Sequence, residues 1–205
     1  MNLLVLDLDS TITKSDNLVG FSLFMLLKKR TVRFSIIVPL ILLLKLKIIN
    51  NINFKIWFSK LVFRSMDVSF LSNCANEYVR SNSFQRDLNP NVIDFITKFS
   101  DAEKIIISAN YDFLVKPISI SLSIEKSVCI NLTQTSGRYT GSISGIIPYG
   151  KGKVESFSNS FNKNNYEKTI GIGDSKSDMP ILTFLDEGYL IKYNKQTNQT
   201  IFTKV

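Results

Sequence analysis

The sequence predicts an α/β protein: a parallel sheet covered by helices on both faces, with a helical unit inserted after the first strand. Three observations carry that prediction. Short apolar runs alternate with helical patterns through the second half of the chain, as in a parallel sheet with crossover helices. Several of these runs end in aspartate, serine or glycine, the residues found where such sheets bind ligands. And nearly a hundred residues separate the first two strands, Leu8 to Lys104, where a simple strand-helix-strand crossover takes about 30.

The elements follow in order. Asn2 to Leu8 (NLLVLDL) reads as a buried first strand. Lys104 to Ser108 (KIIIS), Ser127 to Ile130 and Thr169 to Ile172 read as further strands, with Tyr189 to Ile191 a weaker fifth. Helical patterns cover Pro90 to Phe99, Asp112 to Leu122, Lys151 to Phe161 and Ser177 to Leu185. Residues 133 to 145, TQTSGRYTGSISG, read as a hairpin turning at Ser136-Gly137. Between the first two strands, LVGFSLFMLLKK, VRFSIIVPLILLLKLKII, FKIWFSKLVF and VSFLSNCANEYVRS suggest several helices. Residues 17–85 are therefore expected to form a basic, apolar helical cap, and residues 1–16 with 86–205 the core. At 205 residues and 44% hydrophobic, the chain can fill such a core.

Composition narrows the chemistry. The chain has no histidine, which excludes Ser-His-Asp and Cys-His nucleophile pairs and His-ligated catalytic zinc. Cys74 and Cys129 stand far apart and suggest two buried thiols, neither a zinc site nor a disulfide framework. Catalysis must then run on carboxylates, hydroxyls, lysines and an oxygen-liganded metal. The net charge of +8 sits in one segment. From Asn17 to Met66 there are nine basic residues and no acid, leaving 16 basic residues against 17 acids elsewhere. Any attraction to phosphate, anionic lipid or nucleic acid belongs to that segment.

Four strand ends collect the reactive residues: Asp7-Leu8-Asp9-Ser10-Thr11; Ser108; the Gly150-Lys151-Gly152-Lys153 loop; and Gly171-Ile172-Gly173-Asp174-Ser175-Lys176-Ser177-Asp178. Asp7 and Asp9, two residues apart on one strand, would face the same side. Like charges so close raise each other's pKa unless a cation intervenes. In this order the four segments, VLDLDSTIT, IIISANYDFLVKPI, YTGSISGIIPYGKGKVESF and IGIGDSKSDMPIL, resemble the haloacid dehalogenase superfamily of phosphatases. The nearest subgroup is the phosphoserine-phosphatase-like one, with a helical cap after the first strand of a Rossmann-like core.

The resemblance implies that Asp7 attacks phosphorus and becomes an aspartyl phosphate, while Asp9 is the general acid and then the base. It implies that Ser108 holds a phosphoryl oxygen, that Thr11, Ala109 and Asn110 help bind substrate, and that Lys153 balances charge. Lys151 is the alternative lysine if the loop register differs by two. Hard oxygen donors without nitrogen or sulfur point to Mg²⁺. By resemblance Asp7 and Asp174 bind it through side chains and Asp9 through its carbonyl, with Asp178 supporting Lys153 or a metal-bound water. Helix N-capping is the plain structural alternative for Asp174 and Asp178.

The cap is expected to set the substrate. After the first motif only Asp16 could meet a substrate amine, and no acid recurs until Asp67, so an amino-acid substrate is disfavoured. The basic, aromatic segment resembles the cap of bacterial phosphatidylglycerophosphate phosphatases of the same superfamily, which implies a lipid-linked or amphiphilic phosphate. A soluble sugar phosphate or phosphoserine is the second expectation. A nucleic-acid-binding protein using aromatics as stacking platforms is the third, disfavoured because a binder has no need of Asp7 and Asp9 together.

The longest apolar run, Phe34 to Leu44, covers roughly 16 Å as a helix against about 30 Å of hydrocarbon. It contains Pro39 and precedes Lys45 and Lys47. It is too short to span a membrane. Two readings stand: a buried cap helix, or an apolar surface lying on anionic lipid. The strand starting at the second residue argues against a signal peptide. The expected location is the cytoplasm, with a peripheral position at the inner face of the membrane under the lipid reading.

Overall fold

The computed structural model describes residues 1–205. A seven-stranded sheet in the order β4-β3-β2-β1-β5-β6-β7 organises the chain. Its strands are β1 (Leu3–Leu6), β2 (Glu103–Tyr111), β3 (Lys126–Thr135), β4 (Arg138–Ser144), β5 (Thr169–Gly173), β6 (Glu187–Asn194) and β7 (Gln199–Lys204). β1 lies at the centre, parallel to β2 on one side and β5 on the other, with Leu6 opposite Ile106 and Ile172. β2 and β3, and β5 and β6, are also parallel. Antiparallel hairpins close both edges.

A strand buried on both faces needs apolar side chains at every position, and β1 is LLVL with all four residues buried. Leu3 and Val5 pack with Ile105, Ile107, Phe157, Ile181 and Leu185 on one face of the sheet. Leu4 and Leu6 belong to a larger cluster on the other face, which continues without a break into the segment between β1 and β2.

That segment contains α1 (Asn17–Leu27), α2 (Ile37–Lys45), α3 (Asn51–Phe58), α4 (Val68–Val79) and α5 (Asn82–Asp87), before α6 (Pro90–Thr97) returns to the sheet. Its two connections run side by side. Thr13 bridges Leu88, the Lys14 N–H donates to the Asp87 carbonyl at 2.7 Å, and the Asn89 N–H donates to the Ile12 carbonyl at 2.8 Å. Aromatic rings join the helices to the sheet. Phe63 meets Tyr111 at 4.8 Å and Phe113 at 5.1 Å between centroids, both edge to face, the geometry that ring quadrupoles favour. The outer edge of β4 is stitched down by backbone bonds from Ser65 to Tyr139 (2.8 Å), Tyr139 to Met66 (2.9 Å) and Val68 to Gly137 (3.0 Å), which removes one exposed edge.

The helices after β2 are α7 (Asp112–Ser121), α8 (Lys151–Ser160) and α9 (Met179–Phe184). Four details differ from the sequence reading. β1 stops at Leu6, because residues 8–12 coil into a tight turn with Ser10 at φ 61°. β2 runs past Ser108 to Tyr111, with its pairing to β3 interrupted between Ile107 and Tyr111. β7 has no counterpart among the predicted strands: it is short, mostly polar and at the sheet edge, so it lacks an apolar signature. The Phe34 to Leu44 run is only partly helix, and Pro39 falls in the first turn of α2, where its missing N–H costs no bond.

That run is neither fully buried nor fully exposed. Phe34, Ile37 and Leu40 are buried, whereas Val38 and Leu42 are 66% and 56% exposed. With Leu46, 60% exposed, they lie four residues apart along one helical line. No helix is long and apolar enough to cross a membrane.

Candidate active site

The reactive residues meet at the carboxyl ends of β1, β2 and β5, where parallel strands hand over to loops. Asp7 is the first residue past β1 and extends its ladder, donating its N–H to the Ile172 carbonyl at 2.9 Å. The turn that follows is closed by the Thr13 N–H on the Leu8 carbonyl at 3.1 Å. That turn, not strand alternation, brings Asp9 into the same pocket as Asp7. Thr11 donates its hydroxyl to Asp7 Oδ2 at 3.1 Å.

Asp9 is held from three sides. Its Oδ1 accepts the Asn17 backbone N–H at 2.7 Å and the Asn17 side-chain amide at 2.9 Å. Its Oδ2 accepts from the Asn110 amide at 3.3 Å and the Ser108 hydroxyl at 3.4 Å. Ser108, Ala109 and Asn110 occupy the stretch of β2 where pairing to β3 is irregular.

The lysine comes from α8. Gly150 precedes the helix at φ 58°, ψ −128°, a left-handed backbone that suits glycine. Lys153, the third helical residue, is buried and donates Nζ to Asp7 Oδ1 at 2.5 Å and to Asp178 Oδ1 at 2.6 Å. Lys151, two residues earlier and so on roughly the opposite side of the helix, is exposed.

The fourth strand end supplies Asp174 and Asp178. Asp178 Oδ2 accepts the N–H groups of Asp174 (3.2 Å) and Ser175 (3.0 Å) and the Ser175 hydroxyl (2.8 Å). It thus folds the loop back on itself, and Gly173 makes room: a Cβ there would come within 2.5 Å of Asp178 Cβ.

These groups enclose a cavity of about 420 Å³. Asp7, Asp9, Ala109, Lys153, Asp174 and Asp178 line it from the sheet side; Asp16, Asn51 and Lys55 line it from the inserted helices, with Ile147 and Tyr149 beside them. Thr11, Ser108 and Asn110 are buried behind this wall and touch the carboxylates. Asn17, Lys55 and Tyr149 were not picked out in the sequence, where nothing but their distance in space from Asp7 distinguishes them. Asp16, the one acid considered for a substrate amine, lines the pocket while its Oδ1 caps α1 through Leu18 and Val19.

The electrostatics match the crowding. Burial pushes Asp7 up to about 8 against the pull of Lys153, with Asp178 and Asp9 adding to the rise. Burial likewise raises Asp9, as does Asp16, while Lys55 and the Asn17 donors hold it down. Burial and Asp178 push Asp174 up to about 6. Burial works against the Lys153 ammonium, but Asp7 and Asp178 more than offset it and keep its pKa above the ordinary lysine range.

One lysine does not neutralise four aspartates, and the carboxylate oxygens of Asp7, Asp174 and Asp178 lie within 4.8 Å of one another. An all-oxygen set of this size fits a hard divalent cation. Both oxygens of Asp7 and both of Asp178 already have donors, which leaves the Asp174 carboxylate as the freest ligand of the three.

Fold and site together define a doubly wound α/β protein with carboxylates and a lysine gathered at the carboxyl ends of its strands. The chain belongs to the haloacid dehalogenase-like hydrolase family, whose model matches residues 4–183. No curated protein sequence matches the chain. Among solved structures, a protein of unknown function from Bordetella pertussis Tohama I superposes with a TM-score of 0.80 at 17% identity, over 91% of this chain and 88% of that one. A family hydrolase from Salmonella enterica serovar Typhi gives 0.67 at 14%, over 90% of this chain and 60% of that one, so this chain spans less than two thirds of it. A phosphoserine phosphatase described as a phospho-aspartyl intermediate analogue gives 0.62 at 14%, over 91% and 84%. At these identities the likeness is one of fold.

Proposed function

We propose that this hydrolase is a phosphomonoesterase that works through an aspartyl phosphate on Asp7. The observation that carries the reading is the buried Lys153 bridging Asp7 and Asp178 at 2.5 and 2.6 Å, beside Asp9 and Asp174 in one pocket. An Asp7 oxygen attacks phosphorus, and the bond from phosphorus to the ester oxygen breaks. That oxygen takes a proton from Asp9 as it leaves. Asp9 then takes a proton from water as the water attacks the same phosphorus, breaking the bond to Asp7 and releasing inorganic phosphate. Lys153 offsets charge on Asp7 and on the transferring phosphoryl group, where positioning and charge neutralisation dominate. Ser108 and Asn110 position Asp9 from below, and Thr11 positions Asp7.

Mg²⁺ fits the site: the side chains of Asp7 and Asp174 and the backbone carbonyl of Asp9 would hold it, and Asp178 would orient Lys153 and the loop. When bound it supplies the positive charge that lets the dianionic ester approach the aspartates.

Residues 17–85 are read as the cap, and its surface supports an amphiphilic or lipid-linked phosphate met at the cytoplasmic face of a membrane. The exposed line of Val38, Leu42 and Leu46 is flanked by Lys45 and Lys47, within the acid-free stretch from Asn17 to Met66. Apolar residues beside lysines are what an anionic interface binds.

A second reading, a soluble phosphatase for a small molecule such as phosphoserine or a sugar phosphate, has its own support: Asp16 and Lys55 both line the pocket and offer opposite charges to a compact polar substrate. Phosphate release from a panel of both kinds of ester, with and without anionic vesicles, separates them. The lipid reading expects faster release from amphiphilic esters when vesicles are present; indifference to vesicles would transfer the assignment to the soluble reading.

A further inference from the structure

A second hollow of about 630 Å³ lies beside the catalytic pocket, along the turn joining α2 to α3. The two cavities share Asn51 and Tyr149, whose side chains meet: the Asn51 amide donates to the Tyr149 hydroxyl at 2.7 Å. On one side of that pair the walls are carboxylates, serines and lysines. On the other, Leu44, Ile48, Ile49 and Ile52 form the apolar part of a wall that also holds Lys47, Asn50 and Asn53. Ile48 and Ile52 are 64% and 39% exposed, so the hollow presents apolar surface to water. Its one charged lining residue is Lys47, and it has no acid. Its aliphatic part does nothing for a phosphate, yet it adjoins the place where a phosphate ester would be cleaved.

We propose that this hollow is the subsite for the hydrocarbon part of the substrate. The phosphate monoester sits in the catalytic pocket, and its aliphatic chain crosses the Asn51–Tyr149 pair and lies along Leu44, Ile48 and Ile52. Lys47 faces a negatively charged group carried near the chain. This rests on the reading of the substrate as an amphiphilic phosphate, and it places the apolar half of that molecule. The wall is open to solvent on one side, so each methylene would gain about half of full burial, roughly a twofold effect per carbon.

The test compares butyl and octyl phosphate as substrates, each below its aggregation concentration and without vesicles, for the wild-type chain and for a variant with Ile48→Asp and Ile52→Asp. Both side chains are solvent-exposed, and an Ile48→Asn, Ile52→Asn variant with an unchanged thermal melt guards against misfolding. The expected result is a kcat/KM roughly fifteenfold higher for the octyl ester in the wild type. That gain disappears in either double variant. A chain-length gain that survives both variants would overturn the subsite and leave the amphiphilic reading standing. Equal rates for the two esters in the wild type would overturn the subsite and favour a small-molecule substrate. Equal rates together with a concentration-dependent dimer that the variants abolish would assign the hollow to a second copy of the chain. Hydrolysis of neither ester, while a small polar phosphate is cleaved, would remove the amphiphilic reading itself.

Discussion

Asn17 gives its backbone N–H and its side-chain amide to one oxygen of Asp9, at 2.7 and 2.9 Å. Two donors on one carboxylate oxygen fix its direction and favour its charged form. Asn17→Ala removes one of them. A hydrogen bond to a charged group contributes about 1.5–3 kcal/mol, so kcat should fall at least about tenfold. The limb of the kcat profile that Asp9 sets should also move to higher pH, because a carboxylate that loses a donor keeps its proton longer. A lowered melting temperature with an unmoved limb would make Asn17 a structural residue only.

Asp178 accepts from Lys153 Nζ at 2.6 Å. With Asp178→Asn the ammonium keeps Asp7 alone as a charged partner, and the Asp174–Ser175 loop loses its charged acceptor. The expected outcome is a fall in kcat of about 10² or more, in the range that mispositioned charge stabilisation costs. Gly173→Ala should act in the same direction without touching a charge, since the new Cβ would lie 2.5 Å from Asp178 Cβ and displace it. Steady-state kinetics of the two variants check both expectations.

Mg²⁺ should raise the melting temperature, and the rise should be larger at pH 8 than at pH 6. Protons compete for the same oxygens, with burial pushing Asp7 up to about 8 and Asp174 up to about 6, so fewer ligands are ionised at the lower pH. Activity should vanish with a chelator and return with added Mg²⁺. Melts across a matrix of pH and Mg²⁺ concentration measure the first effect.

Acid stability has an identifiable contributor away from the site. Lys163 binds Asp186 at 2.7 Å, and the Thr169 N–H and hydroxyl each donate to it at 2.8 Å. Lys163 first, then Thr169, hold the Asp186 carboxyl down at about 2 from an ordinary 3.8. The folded state therefore binds the proton less tightly than the unfolded chain. The stabilisation is present above about pH 4 and is lost as pH falls toward 2. Asp186→Asn should flatten the stability curve between pH 5 and 2 and leave its shape above pH 5 unchanged, as read by urea melts.

Much of this arrangement could be read from the sequence because its parts are local. Leu3 to Leu6 is apolar throughout, as a doubly covered strand must be, and Asp7 announces where it ends. Gly150 and Lys153 mark a helix start, and Gly173 to Asp178 mark a strand handing over to a loop. What the sequence did not show depends on distant partners. Asn17 looks like any residue opening a helix until the turn at residues 8–12 brings Asp9 to it. Lys55 is one of nine basic residues in its segment, and only the placement of α3 over the pocket distinguishes it. β7 pairs at an exposed edge and needs little apolar content. The Phe34 to Leu44 run carries its hydrophobicity on all sides, so its sequence does not say which side is covered; packing leaves Val38 and Leu42 outside.

The central claim is that Asp7 carries the phosphoryl group during turnover. Rapid acid quench of the working enzyme, followed by proteolysis and mass spectrometry of the amino-terminal peptide, tests it most directly. The account predicts a phosphoryl adduct on Asp7 that requires Mg²⁺, builds up further with Asp9→Asn, and is absent with Asp7→Asn. Full phosphatase turnover by Asp7→Asn, with no adduct on the wild-type peptide, would contradict it.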